Sequence, residues 1–69
     1  MEIQLNKLKR ITEGNFKLPS NFEQEIKDLY SFANSYKPTK HENIIIKMFS
    51  IDRLEKWAKD FQVELSMVK

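Results

Sequence analysis

The sequence predicts a mainly α protein, a small single-domain bundle of three to four helices spanning residues 1–69, and three observations support this. Apolar residues recur at three- and four-residue intervals over three stretches, which is the spacing of one helical face. Residues that favour helix ends follow two of these stretches: the only glycine, Gly14, follows the first, and Pro38 follows the second. Charged residues, 32% of the chain, alternate in sign as they do on solvated helix faces.

The first helix is predicted over residues 2–13. Gly14 then occupies the position just past its end, because glycine adopts a positive φ without steric cost. The second helix is predicted over residues 21–36, where Ser20 and Glu23 have the spacing of a capping box. The apolar face of the first helix consists of Met1, Leu5, Leu8 and Thr12, with Ile11 beside it, and that of the second consists of Phe22, Ile26, Leu29, Ala33 and Tyr36.

A further helix is predicted over residues 50–61. Ser50 is placed where an N-cap hydroxyl would accept a hydrogen bond from a free backbone N–H, and Asp52 would lie near the positive end of the helix. The apolar face of this helix is predicted to consist of Ile51, Leu54, Ala58 and Phe61.

Residues 42–49 are predicted to form a fourth element, either a helix or a strand. Thr39 and Glu42 have the spacing of another capping box, which favours a helix. The run Ile44-Ile45-Ile46 consists of β-branched residues, which favour a strand. The alternative fold is therefore α+β, with a strand–helix–strand unit at 43–49, 51–61 and 63–67.

The chain contains few residues that are suited to catalysis or to metal binding. There is no cysteine, only one histidine, His41, and no glycine-rich phosphate loop. Paired carboxylates such as Glu23 and Asp28 fall on exposed helix faces, where they stay ionised and solvated. We therefore expect no enzyme, no metal, no cofactor and no small-molecule substrate.

The sequence also bears on location and origin. The N-terminus carries no apolar signal region, and no stretch approaches the length of a membrane span, so we expect a cytoplasmic protein that does not enter a membrane. The many Lys, Asn and Ile residues, with few Gly or Ala, suit an AT-rich bacterial or phage coding sequence.

Residues 54–69 carry Trp57-Ala58, then Phe61, Val63 and Val68. This order of large apolar residues around an alanine resembles the helix-turn-helix pattern of bacterial and phage DNA-binding proteins. The resemblance implies a second helix that enters the major groove. It requires a left-handed backbone at Gln62, where that family has glycine. It implies DNA contacts at Glu64, Leu65, Ser66 and Lys69, and the basic residues Lys7, Lys9 and Arg10 would add phosphate contacts.

Two aromatic residues of the second helix, Tyr30 and Phe32, fall beside its apolar face and form a candidate protein interface. A 69-residue chain without disulfides gains stability by burying such a surface, so we expect a homodimer. The net charge is only +2, which favours a protein partner over nucleic acid. The predicted function is a small non-enzymatic interaction or regulatory accessory protein. The alternative is a helix-turn-helix DNA-binding regulator.

Overall fold

Three α-helices joined by short loops make up most of residues 2–65, the part of the chain that the computed structural model describes. Helix α1 spans Glu2–Glu13, α2 spans Phe22–Ser35 and α3 spans His41–Asp60. The mainly α prediction is confirmed.

The α+β alternative is not supported, because no strand occurs between residues 2 and 65. Residues 43–49 lie within α3. Residues 63–65, at the start of the other predicted strand, form neither helix nor strand, and residues 66–67 lie outside the described part. The apolar run at Ile44 is helical, and it packs Ile46 against the core while Ile44 and Ile45 stay exposed.

Helix α3 is a single helix where the sequence predicted two elements, 42–49 and 50–61. The predicted N-cap role of Ser50 is wrong: its side chain is fully buried in the middle of α3, and its Oγ donates a hydrogen bond to the Leu8 carbonyl oxygen, 3.1 Å away in α1. The helix begins instead after Lys40, whose side chain makes no capping hydrogen bond. A serine hydroxyl often caps the start of a helix. Here the Ser50 hydroxyl instead bonds to the backbone of α1 and joins the two helices.

The bounds of α2 agree with the prediction to within one residue at each end. Its N-cap residue is Asn21, with no side-chain capping bond, so the predicted capping box at Ser20 is wrong. At the other end Tyr36 has an extended backbone two residues before Pro38, and its carbonyl oxygen accepts a hydrogen bond from Lys47 Nζ at 2.6 Å. That bond ties the end of α2 to α3.

The core lies where the three helices meet, and the segment after α3 closes it. Ser50 is the buried polar residue at the crossing of α1 and α3, and aromatic pairs border the core: Phe16 stacks on Trp57 with ring centroids 5.8 Å apart, and Phe22 meets Phe61 at 4.9 Å. The predicted core position of Phe61 is only partly right, since this side chain is 45% exposed. The buried apolar residues are Leu8 and Ile11 from α1; Ile26, Leu29, Tyr30 and Ala33 from α2; Leu54 and Ala58 from α3; and Val63.

Two helices end in the same left-handed turn. After α1, Gly14 has φ 79°, the Asn15 N–H donates to the Arg10 carbonyl at 2.8 Å, and Gly14 N–H donates to Ile11. After α3, Gln62 has φ 58°, and the Val63 N–H donates to the Ala58 carbonyl at 2.7 Å. Both patterns are Schellman caps, which satisfy carbonyls that a helix end leaves free.

Candidate protein-interaction surface

Four large apolar side chains are exposed together on α3. Ile44 is 38% exposed, Ile45 49%, Met48 64% and Phe49 45%. Their spacing of one, three and four residues places them side by side on the first half of the helix. We call these four residues the outer face of α3. Each is large enough that its exposure to water costs free energy which a partner could recover.

The outer face is exposed because the opposite side of α3 already packs into the bundle. Ser50, Leu54 and Ala58 are buried there, and Ile46, Ile51 and Trp57 are partly buried against the core. A helix of a small soluble domain ordinarily carries one apolar stripe. The first half of α3 carries apolar residues on both sides, and residues 2–65 cover only one of them.

Polar and charged residues border the outer face at both ends. His41 and Glu42 are exposed at its N-terminal end. Asp52, Arg53 and Lys56 follow it on the same side of the helix and, with Phe49, line a shallow groove. The Arg53 guanidinium carbon lies 5.8 Å from the centroid of the Phe49 ring, so the cation covers part of that aromatic face. The surface therefore has an apolar centre and a charged border, which is the usual composition of a contact surface.

The predicted interface residues, Tyr30 and Phe32, lie elsewhere. Tyr30 is 5% exposed and belongs to the core, so its predicted position outside the apolar face is wrong. Its hydroxyl donates a hydrogen bond to Glu55 Oε2 at 2.9 Å, which joins α2 to α3. Burial first, and then the bond to Glu55, raise the pKa of Tyr30 above the ordinary value of 10.0. Phe32 is partly buried and stacks on Tyr36, with ring centroids 5.4 Å apart.

The structure separates the candidate DNA-contact residues into two regions. On α1, Lys9 and Arg10 are exposed, whereas Lys7 is ion-paired with Glu25 at 2.6 Å. After α3, Glu64 is exposed and Leu65 packs against the core. Ser66 and Lys69 lie outside the described residues. Gln62 has a left-handed backbone that caps α3, and residues 63–65, which follow it, are not helical.

Residues 2–65 contain neither a metal-binding cluster nor a helix that could span a membrane. No group of three or more His, Asp or Glu side chains lies close enough together to hold a metal ion there. In the same part of the chain, no helix has both the length and the apolar content needed to cross a bilayer.

The sequence pattern alone did not predict the outer face of α3. The apolar run Ile44-Ile45-Ile46 was ambiguous between helix and strand, and a strand would have buried alternate residues. Once the run is helical, Ile46 turns inward and the residues before it turn outward. The sequence feature that could have indicated the outer face is the number of apolar residues in the first half of α3, which is too high for one face of a helix.

Comparison with known proteins gives no relative. The chain matches no protein-family model, and searches of curated proteins and of solved structures find no match. The function proposed for this chain therefore rests on its own residues.

Proposed function

We propose that this chain is a small non-enzymatic interaction protein that binds its partner through the outer face of α3. The observation that carries the proposal is the exposure of Ile44, Ile45, Met48 and Phe49 as one apolar surface on a regular helix. An exposed apolar patch bordered by polar residues is typical of a contact site in a soluble domain.

The energetics favour a contact role. Fully burying one large apolar side chain stabilises a complex by about 1.5–3 kcal/mol, and these four side chains are only partly covered by their own chain. Met48 adds flexibility, because its unbranched thioether side chain adapts to irregular partner surfaces. The helix backbone is already ordered, so little backbone conformational entropy is lost when a partner binds.

Site-specific photo-cross-linking tests this proposal. A photoreactive phenylalanine analogue replaces Ile45 in the full chain, and extract from cells that naturally contain the protein is irradiated. We expect discrete adducts. They should disappear when the labelled chain also carries Met48→Glu, and when an excess of unlabelled chain is added as a competitor. The same analogue at Lys27, an exposed residue of α2, is the matched control and should give none of these adducts. Equal adducts from both positions, or none from residue 45, would contradict the proposal.

DNA binding is the second candidate, favoured by the left-handed Gln62 between Phe61 and Val63. Its test is fluorescence anisotropy with a random duplex at low salt. A DNA-binding chain should lose affinity steeply as salt rises and should weaken with Lys69→Glu or Ser66→Glu. Absence of binding at micromolar protein, or binding that neither change affects, would remove this candidate.

A further inference from the structure

We infer that the partner of the outer face of α3 is a second copy of this chain, packed with its own α3 antiparallel to the first about a two-fold axis. This inference rests on the proposed contact role of that face and identifies its occupant. The length of α3, the arrangement of its exposed apolar residues and the charges near the two ends of the outer face support a second copy.

Helix α3 is the longest helix among the described residues, with 20 residues, and its outward side is exposed along its length. At 1.5 Å per residue it is about 30 Å long. A specific interface of standard size buries about 800 Å² per partner, and this is about a sixth of the chain's 5128 Å² accessible surface. An antiparallel pair centred on the outer face overlaps over residues 41–52 of each α3, about 18 Å of helix, so loop atoms next to the overlap must supply part of this area.

The order of residues along the outer face suits a two-fold axis. Its four apolar residues are centred between residues 46 and 47. With the axis at that point, Ile44 lies next to Met48 of the partner subunit, and Ile45 lies next to Phe49 of the partner subunit, because residues four apart share one side of the face. Every apolar residue thus meets another apolar residue, and the same surface is used by both copies.

The border charges select the antiparallel arrangement. At this register His41 lies opposite Asp52 of the partner subunit, and Glu42 lies two residues, about 3 Å along the helix axis, from Arg53 of the partner subunit. Glu42 and Arg53 share one side of the outer face, because eleven residues are close to three full helical turns. A parallel pair would instead leave Glu42 and Arg53 of the partner subunit eleven residues, about 16 Å, apart along the axis, so this opposite-charge contact would not form.

Charge reversal at the two ends provides a test specific to this geometry. Glu42→Arg alone and Arg53→Glu alone each create two like-charge contacts in a homodimer. When the two variants are mixed, the mixed dimer has opposite charges at both contacts. Sedimentation equilibrium of the full chain measures association, and circular dichroism checks that each variant is folded.

We expect the wild type to dimerise at tens of micromolar and each single variant to have a dimer dissociation constant about tenfold or more higher. The equimolar mixture should regain wild-type association, and so should the double variant in one chain. Lys27→Glu, on an exposed part of α2, is the control and should leave association unchanged. A mixture no more associated than its components would overturn the antiparallel register.

The same measurements separate this inference from the proposed function. A wild type that stays monomeric at 100 µM overturns the second copy as partner. The contact role of the outer face survives that result if the residue-45 cross-link joins a different protein, and fails with it if no cross-link forms. A dimer that Met48→Glu leaves intact overturns the inference, because its interface must then lie elsewhere.

Discussion

At residue 50, one buried hydroxyl joins two helices. Ser50 Oγ and Thr12 Oγ1 both lie within hydrogen-bond distance of the Leu8 carbonyl oxygen, at 3.1 and 3.0 Å, and 3.3 Å from one another. A serine that bonds directly to the backbone of another helix requires close approach of that backbone. The small side chain at residue 50 is therefore part of how α1 packs on α3.

Enlarging residue 50 should force α1 and α3 apart. We expect Ser50→Leu to lower the free energy of unfolding by about 1–3 kcal/mol, the usual cost of overpacking. Ser50→Ala should cost about 1 kcal/mol, the net value of one hydrogen bond. Urea unfolding measures both. Ser35→Leu, at an exposed serine of α2, is the control and should change stability by less than about 0.5 kcal/mol. Similar effects at both positions would contradict close packing at Ser50.

Tyr30 should make stability fall at alkaline pH. Because its pKa is raised in the folded protein, the folded state holds the phenolic proton more tightly than the unfolded chain does. Its contribution to stability is therefore fully present below pH 10 and is lost as the pH rises through the raised pKa.

The chain has two tyrosines, so absorbance can follow this titration directly. In Tyr36→Phe the remaining phenol should ionise above pH 10.0 when the protein is folded and near that value in urea. Tyr30→Phe should remove this late-ionising component. A folded Tyr36→Phe variant that titrates as it does in urea would show that the bond to Glu55 and the burial of Tyr30 do not persist in solution.

Among the three helices, local sequence signals predicted the bounds of α1 and α2 better than those of α3. The end of α1 at Gly14 followed from the one residue that tolerates a positive φ freely. The continuity of α3 through Ser50 depends on a contact with α1, more than 35 residues earlier in the chain, and no local pattern carries that information. The outer face was missed for the same reason, since exposure is decided by where the neighbouring helices pack.

The two left-handed helix ends predict stability changes of opposite sign. Gln62→Gly should raise the free energy of unfolding by about 0.5–1 kcal/mol, because glycine removes the side-chain strain at φ 58° and loses part of that gain to the freer unfolded chain. Gly14→Ala should lower stability by about 1 kcal/mol. A Cβ at residue 14 would meet no atom within 4 Å, so that loss reports backbone strain alone. Effects of the same sign at both positions would contradict the left-handed turn at one of them.

Across the three-helix bundle, the apolar residues of α3 have two separate roles. Those facing inward hold a small core together, with Leu54 fully buried. The apolar residues that face outward do not pack in the core and remain accessible to a partner. Stability and association should therefore respond to different substitutions on the same helix.

Two substitutions in α3 separate these tasks. At low micromolar concentration Leu54→Ala should lower the free energy of unfolding by about 2–5 kcal/mol, because it leaves a cavity in the core. Met48→Glu should change it by less than about 0.5 kcal/mol, since this side chain is 64% exposed. At higher concentration the wild-type unfolding midpoint should rise, because association stabilises the folded state, whereas that of Met48→Glu should stay constant. Thermal unfolding at several concentrations measures both effects, and a Met48→Glu chain as unstable as Leu54→Ala would mean that the outer face belongs to the core.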